Sequence, residues 1–358
     1  MLLALAAALV FIAYTYRYEI ASQGLGVLVA DQFALLTKTS AYPVLLPDEP
    51  TELIAVGRRP AVVAGGTLYM YNPVGEKKAE DRIGGQSTLA AAAGNYLILY
   101  TRGGYDVHVL SGDTELYRLH LDNAVQAACI SRSGYAAVAT AEGSASAVTV
   151  YDRSGREEFR WSSPGCVVIS LALDQKGARV AVGGVSTEDG TLCSEIHAFS
   201  LSASRETISE TLTDELLLEV RWRSDGDLAA VTDRAGYALN GKKTLRAEFD
   251  AQPTAYAIFE DGAIAAAAGD YLSAHEVRLL RYSPAMKETE TFLFDQNVLR
   301  LLPFGSDLLI FTGERVLRVT ETFDRSALYE TTGALQIVPA GKTLYYTTVS
   351  RLEGILMH

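Results

Sequence analysis

The chain has 358 residues, 49% hydrophobic and 21% charged, which is enough apolar material for a large folded core and too much for a disordered protein. Its 31 basic and 43 acidic residues give a net charge of −12, and so acidic a chain is a poor partner for nucleic acid, because phosphate binding needs a basic face. Three cysteines without Cys-x-x-Cys spacing exclude a disulfide framework and the common zinc sites.

The first sixteen residues, Met1 to Tyr16, contain no charged side chain. As a helix they would rise about 24 Å, which is short of the roughly 30 Å hydrocarbon core of a bilayer. Three interpretations are open: a membrane anchor whose first residues are missing, a signal peptide, and a buried core helix. No basic residue precedes the run, which argues against a signal peptide. Three tyrosines favour the anchor, since aromatic side chains prefer the bilayer interface: Tyr14, Tyr16 and Tyr18.

We therefore expect residues 1–17 to form a membrane anchor or signal anchor, residues 18–40 a linker and lead-in, and residues 41–358 the folded domain. A large domain after one apolar segment is most simply exported, which predicts a single-pass protein of the cell membrane with its domain outside the cytoplasm. After residue 20 no stretch shows sustained helical periodicity with caps, so the body is predicted to be all-β.

One pattern recurs along the body: an apolar strand, a glycine turn, an Ala/Val-rich strand, a polar loop and a third strand. The two alanine runs, at 90–93 and 265–268, occupy strand positions in it. The turn glycines span 284 residues in seven steps, about 41 residues a step, which is the period of a four-stranded propeller blade. They are Gly57, Gly94, Gly134, Gly177, Gly226, Gly262, Gly305 and Gly341.

Eight glycines predict a β-propeller with eight four-stranded blades, with seven blades as the alternative. The last module has room for only three strands before His358. Residues 41–46 form a spare strand before the first module, and an N-terminal strand that completes the last blade removes exposed sheet edges. We therefore expect the ring to close through these residues.

Three segments carry a resemblance to a known family: Tyr14 to Glu19, YTRGGYDVHVL from Tyr100 to Leu110, and the run from Leu171 to Leu201. Together they resemble a family of single-pass membrane proteins of Gram-positive bacteria that has no assigned function. The resemblance implies a β-propeller-like domain outside the cytoplasm, facing the cell wall. The blades are also similar to WD40-like and quinoprotein-like repeats, although only one module carries the quinoprotein pattern, from Tyr151 to Trp161.

No catalytic, metal or cofactor site is predicted. The sequence lacks a Gly-x-Ser-x-Gly elbow, and its five histidines fall in different modules, with His108 and His197 in third strands. Residues 188–190 approach a calcium loop without its spaced oxygen ligands. Two cysteines lie in first strands, predicted to be the most buried, and a third lies beside a loop, where an exposed reactive thiol is the weaker alternative: Cys129, Cys166 and Cys193.

The loops between second and third strands share one face of a propeller with the connections between blades. Their composition of tyrosine, arginine and mixed charge is typical of interface hot spots, although loop tips are commonly polar. Module four has the longest loop, and we expect extra polar sequence at residues 202–215. The predicted binding residues are Arg102, Tyr105, Asp106, Glu142, Glu188, Asp189 and Arg234.

Two classes of function remain. The favoured one is a non-enzymatic scaffold, tethered to the membrane through residues 1–17, that binds a protein or cell-envelope partner at this face. The alternative is a ligand- or glycan-binding sensor or, less favoured, an enzyme with its site in the central channel. An enzyme would need carboxylates or histidines converging on the axis, and the first strands show no excess of them.

Overall fold

The computed structural model describes residues 25–37, 39–85, 87–269 and 277–358. Within these residues the chain forms one helix and thirty-two strands, arranged in eight four-stranded antiparallel sheets. Each sheet pairs its strands in sequence order, except the one that joins the two ends of the chain. The architecture is the predicted eight-bladed β-propeller, and the seven-blade alternative is wrong.

The first four blades are formed by β2–β17. Blade one holds β2 (Pro50–Val56), β3 (Arg59–Ala64), β4 (Thr67–Tyr71) and β5 (Lys77–Arg82). Blade two holds β6 (Thr88–Ala93), β7 (Tyr96–Thr101), β8 (Asp106–Ser111) and β9 (Thr114–His120). Blade three holds β10 (Val125–Ile130), β11 (Ala136–Glu142), β12 (Ala145–Tyr151) and β13 (Glu157–Pro164). Blade four holds β14 (Val167–Leu173), β15 (Arg179–Glu188), β16 (Thr191–Ser200) and β17 (Arg205–Thr213).

The remaining strands complete the ring. Blade five holds β18 (Leu217–Trp222), β19 (Leu228–Thr232), β20 (Ala235–Leu239) and β21 (Thr244–Glu248). Blade six holds β22 (Pro253–Ile258), β23 (Ile264–Ala268), β24 (Val277–Tyr282) and β25 (Glu288–Phe294). Blade seven holds β26 (Arg300–Phe304), β27 (Asp307–Phe311), β28 (Arg315–Val319) and β29 (Arg325–Glu330). Blade eight holds β30 (Gln336–Ala340), β31 (Thr343–Thr347), β32 (Arg351–Leu356) and β1 (Val44–Leu45).

The ring closes as expected from residues 41–46. Strand β1 pairs antiparallel with β32, Val44 opposite Leu352 and Leu45 opposite Arg351, and so supplies the outermost strand of blade eight. Tyr42 packs against Tyr345 with ring centroids 5.6 Å apart. Because the last blade takes its outer strand from the other end of the chain, the two termini are tied together without an open edge.

The core lies between blades, in their second and third strands. Strands such as β3 and β4 are buried along their whole length, whereas first strands such as β14 are partly exposed. The expectation that first strands are the most buried is therefore wrong, because one side of each faces the central channel. The two alanine runs are strands, as predicted, and their small side chains allow neighbouring sheets to pack closely.

Two of the turn glycines show how closely neighbouring blades pack. Gly134 and Gly177 have φ values of +86° and +68°, a region that favours glycine. A Cβ atom on Gly177 would lie 2.6 Å from Cγ of Tyr135 in the preceding blade, and one on Gly134 would lie 2.7 Å from the ring of Tyr96. Each of these turns is therefore covered by a side chain of its neighbour.

Helix α1 (Leu25–Thr37) is a departure from the sequence analysis, which expects no helix after residue 20. It is held to the ring by a buried ion pair in which Arg59 donates two hydrogen bonds to Asp31, at 2.9 and 3.0 Å. Arg59 opens β3, directly after the first turn of blade one. The sequence signal was weak because most of the helix is apolar and only a narrow side is buried.

The ring has two faces with different connections. The junction face carries the connections between second and third strands and those between blades. The helix face carries the turns between first and second strands and between third and fourth strands, and α1 packs on it through Arg59. The polar segment 202–215 is not an extra loop: residues 205–213 form β17, and the length of blade four comes from its long strands β15, β16 and β17.

Candidate functional site

The seven predicted binding residues all lie on the junction face, on four consecutive blades, two to five. Each is in, or at the end of, the connection between a second and a third strand. They therefore form an arc over half of the ring. The seven are Arg102, Tyr105 and Asp106 in blade two, Glu142 in blade three, Glu188 and Asp189 in blade four, and Arg234 in blade five.

In blade two the connection is braced by backbone hydrogen bonds. Gly103 donates to Val125 O and Val125 donates to Gly104 O, both at 2.8 Å, which ties it to blade three. The Tyr105 ring is 47% exposed and lies 6.3 Å from the ring of His120. A hydrogen bond of 2.7 Å joins Nδ1 of His120 to Asp106. A large aromatic side chain is thus held on a rigid support with one face open to solvent.

The arc continues through two exposed ion pairs. Arg160 donates to Glu142 within blade three. Arg234 of blade five lies 2.9 Å from Asp214, in the connection from blade four. The Arg234 pair is well exposed and the Glu142 pair is partly exposed, so both contribute little to stability and leave charge accessible to a partner.

In blade four the hairpin of β15 and β16 reaches farthest from the ring. Each strand has ten residues, and Glu188 pairs directly with Thr191 at the tip. Asp189 adopts a φ of +49° in the turn. Both carboxylates are exposed and have no partner in the described part of the chain, so they are available for binding.

A second feature of the junction face was missed by the sequence analysis: an apolar rim. Eight large apolar or aromatic side chains between 37% and 60% exposed lie in its connections or beside the mouth of the channel. The other exposed large apolar side chains of the described residues lie on α1 or on the strands at the outer wall, and none lies in a helix-face turn. The apolar rim consists of Tyr105, Val167, Ile169, Leu192, Leu216, Leu299, Leu335 and Val349.

The junction face is also the acidic one. Its described connections contain ten acids and only the bases Arg102 and Arg234. The helix-face turns contain ten acids and ten bases. The junction-face acids are Asp48, Glu49, Asp122, Asp189, Asp214, Glu215, Asp233, Asp250, Asp295 and Glu314.

The central channel holds charged side chains that the sequence analysis did not count. Glu52 on β2 accepts a 2.5 Å hydrogen bond from the backbone of Ala90, on the first strand of the next blade. Burial raises the pKa of Glu52 to about 7, and the Ala90 bond and the charge of Arg300 on β26 oppose that shift. Gln336 on β30 donates to Thr51 O at 2.8 Å. Polar side chains therefore bridge first strands around the channel.

At the helix-face end the channel widens into a cavity of about 720 Å³. An ion pair between Arg132 of blade three and Glu260 of blade six spans it. Trp222 lies in its wall, with the guanidinium of Arg179 4.2 Å from the centre of the indole ring. Lys176 also lines it and has no ion-pair partner among the described residues.

The cysteines and histidines are engaged in the fold. Cys193, expected beside a loop, is 2% exposed within β16, so the alternative of an exposed thiol is wrong. Cys129 is half-buried on its first strand, and burial raises the pKa of its thiol to about 12. His108 and His197 lie in third strands, as predicted. His197 has Glu206 at 2.6 Å and Glu195 at 3.3 Å.

One group in the described residues has the composition of a metal site. The ligand atoms of Asp81, His108 and Glu115 lie within 4.8 Å of one another between blades one and two. The guanidinium of Arg118 lies 3.2 Å from Asp81 and 2.6 Å from Glu115. A cation already satisfies these carboxylates, so they are better described as a charge network between blades.

The predicted anchor, residues 1–17, lies outside the described residues. Among those that are described, no helix is both long and apolar enough to cross a bilayer.

The geometry agrees with comparisons to known proteins. A family model described as "Family of unknown function (DUF5711)" matches residues 61–349. Similar solved structures include BamB from Moraxella catarrhalis, with a TM-score of 0.61, 14% identity, and coverage of 88% of this chain and 99% of that one. The C-terminal WD40 domain of Sif2 has a TM-score of 0.64 and 10% identity, with coverage of 88% and 97%. Sqt1 from Saccharomyces cerevisiae has a TM-score of 0.59 and 11% identity, with coverage of 88% and 100%.

At these identities the likeness shows the propeller fold alone. No curated protein matches the chain by sequence.

Proposed function

The chain belongs to the DUF5711 family, and we propose that it is a membrane-tethered, non-enzymatic scaffold that binds a protein partner through its junction face. Residues 1–17 are the tether, and the propeller lies outside the cytoplasm, at the cell envelope. The observation that carries the proposal is the apolar rim, because its eight exposed side chains all lie on one face of the ring. Apolar side chains grouped on one face of a soluble domain commonly mark an interaction surface.

The charge of that face supports a partner of particular chemistry. Its connections contain two bases and ten acids, nine of which are at least partly exposed, so the junction face suits a partner segment that carries lysine or arginine around an apolar centre. The predicted residues Arg102, Tyr105, Asp106, Glu142, Glu188, Asp189 and Arg234 belong to this surface. Tyr105 is also part of the apolar rim, and aromatic side chains on rigid supports contribute strongly to binding.

The propeller suits such a role because its loops are held by the ring. The connections are short and tied by backbone hydrogen bonds, as between Gly103 and Val125. A surface that is already ordered loses little conformational entropy when it binds. The arc of blades two to five thus offers a wide platform without a folding cost.

The test is site-specific cross-linking of the full chain in its native membrane. A photoreactive residue at Tyr105 is expected to form one dominant adduct with another protein, and the same residue at Leu116, on the outer wall, is not. The variant Leu299→Ser/Leu335→Ser removes two exposed leucines of the apolar rim and is expected to weaken the adduct at least tenfold.

The matched control is Leu116→Ser/Leu293→Ser, which removes leucines that are 38% and 58% exposed on the outer wall. It is expected to leave the adduct unchanged. An adduct of equal yield from both sites, or equal loss in both double variants, would contradict binding at the junction face.

The cavity at the helix-face end of the channel favours a second candidate, binding of a small polar ligand or glycan. Its volume of about 720 Å³ falls in the range of known ligand sites. A thermal-shift screen against sugars and phosphorylated metabolites is expected to yield a stabilising ligand if this candidate holds. The gain should then disappear in Gln175→Ala/Lys176→Ala, which changes two exposed side chains of the cavity wall.

A further inference from the structure

The lysines of the propeller are confined to one face. All seven lysines in the described residues lie in helix-face turns or in the two residues that follow such a turn. None lies on the junction face. They are spread over blades one, four, five, six and eight, and all are exposed: Lys77, Lys78, Lys176, Lys242, Lys243, Lys287 and Lys342.

Most of these ammonium groups are free. Lys77 and Lys78 lie 2.8 and 3.1 Å from Glu80 and Glu76. The other five lysines make no ion pair with any described residue. Most acidic side chains of the same face are hydrogen-bonded or ion-paired to nearby residues. Asp152, for example, accepts hydrogen bonds from Ser154 and Arg156 in its own turn, and these bonds hold its pKa well below the usual range.

Asp152 and Asp174 are buried, and exposed acids such as Glu260 are paired with an arginine, whereas the five free lysines extend unpaired charge into solvent. Acids and bases are equal in number in these turns, and the charges left without a partner among the described residues are therefore mainly lysine ammonium groups.

Helix α1 adds an apolar side to the same face. Asp31 and Ala34 are buried against the ring, whereas Val29, Phe33 and Leu35 are 59%, 64% and 47% exposed. The helix is pinned by the buried pair of Asp31 and Arg59. The chain before Leu25, which includes the uncharged run 1–16, therefore joins the propeller at the helix face.

We propose that the helix face rests on the surface of an anionic phospholipid bilayer. Lysines spread over five blades match a wide, planar array of phosphate groups better than a single protein groove. The helix-face turns also lack the exposed large apolar side chains found on the junction face. Compact, strongly hydrated ammonium groups suit contact with headgroups, and the exposed side of α1 suits shallow insertion between them.

This contact adds an orientation to the proposed scaffold, since it turns the apolar rim away from the membrane. It does not depend on the partner of the junction face. Each lysine near an anionic surface strengthens binding about fivefold, and the attraction falls off within about 10 Å at 0.1 M salt.

The experiment is lysine footprinting of the full chain on vesicles. Protein is mixed with vesicles of phosphatidylcholine alone or with phosphatidylglycerol added, and the acetylation rate of each lysine is read by mass spectrometry. Carboxyl labelling of Glu188 and Asp189 reports on the junction face. We expect the five free lysines to react roughly fivefold more slowly on anionic vesicles only, with the protection lost in high salt and the junction-face carboxylates unaffected.

The matched charge variants are Lys242→Glu/Lys243→Glu on the helix face and Arg315→Glu/Arg351→Glu at the edge of the junction face. Both change the net charge by the same amount at exposed positions. Only the first is expected to reduce protection at the remaining lysines. Equal effects of the two pairs would overturn the proposal, because net charge alone would then explain the attraction.

The other outcomes also decide. Equal lysine reactivity on neutral and anionic vesicles, or protection of the junction-face carboxylates instead, overturns the proposal. Protection without vesicles means that a protein covers the face, which overturns it too. Flotation with anionic but not neutral vesicles supports the lipid contact and counts against the tether of residues 1–17. Loss of the Tyr105 adduct in the cross-linking test counts against the scaffold alone.

Discussion

The two faces of the ring are built by the same repeat and differ in almost every surface property. The junction face is acidic and carries the apolar rim, whereas the helix face carries every described lysine and no exposed large apolar side chain in its turns. Antiparallel strands return the chain to each face once every two strands, so two kinds of connection alternate along the sequence. Each kind can therefore acquire its own chemistry without changing the blades.

The faces also differ in how tightly their turns are packed, and this predicts the largest effect. Gly177 on the helix face and Gly143 on the junction face have similar φ values, +68° and +65°. A Cβ at Gly177 would overlap the ring of Tyr135, whereas one at Gly143 meets nothing within 4 Å. We expect Gly177→Ala to lower the free energy of unfolding by about 3 to 4 kcal/mol and Gly143→Ala by about 1 kcal/mol.

Urea unfolding of both variants measures the difference. Similar losses would mean that turns on both faces are equally tolerant, and that covering by the neighbouring blade adds nothing.

The attachment of α1 to the helix face predicts the next effect. Asp31→Asn removes the nearer carboxylate of Arg59 and leaves only Asp113, at 3.8 Å, and a buried pair broken on one side loses about 3 kcal/mol. Because α1 lies on the surface of the ring, we expect the loss as faster amide exchange across residues 25–37 rather than as global unfolding. Hydrogen exchange with mass spectrometry reads it. The double variant Asp31→Leu/Arg59→Met, which leaves no unpaired charge, should restore slow exchange.

The titration of Glu52 in the channel is expected to change the free energy of unfolding by about 2 kcal/mol between low and high pH. The pKa of Glu52 is raised to about 7 in the folded protein, so folding favours its protonated form. This stabilisation is complete below the unfolded pKa, near 4.5, and is lost as the pH rises through 7. From pH 5 to pH 8, the urea midpoint is expected to fall more in the wild type than in Glu52→Gln. If Glu52→Gln shows the same pH dependence as the wild type, the pH dependence of stability arises from another group.

The smallest effect belongs to the exposed charges of the junction face. Glu142→Gln removes the ion pair with Arg160, and exposed pairs contribute less than about 1 kcal/mol. We expect a thermal midpoint within a few degrees of the wild type and a weaker Tyr105 adduct. Unchanged capture would remove Glu142 from the binding surface and would leave the apolar rim in place.

Much of the architecture could be predicted because each blade is a local unit. The eight turn glycines all have positive φ, so the backbone itself requires glycine there, and their spacing marks the blades. The alternation of connections then placed all seven predicted binding residues on one face. The face of two lysines could also be predicted, since Lys176 and Lys342 adjoin turn glycines.

Other features depended on contacts that distant residues make. The apolar rim uses single leucines just before first strands, as at Leu299 and Leu335, and nothing nearby marks them as exposed. The charges of the channel come from first strands of different blades, as with Glu52 and Arg300. Helix α1 is held by one pair, Asp31 with Arg59, whose partners lie 28 residues apart.

The sequence by itself determined the period, the number of blades, the closing strand and the face on which each connection lies. These follow from local backbone geometry and from strand alternation, which repeat regardless of what the blades touch. Only the tertiary structure decided which side chains are exposed, which charges meet across the ring, and where α1 docks. Burial and pairing depend on residues that are distant in the sequence and are brought together by ring closure. The order of residues along the chain does not give the distances between them.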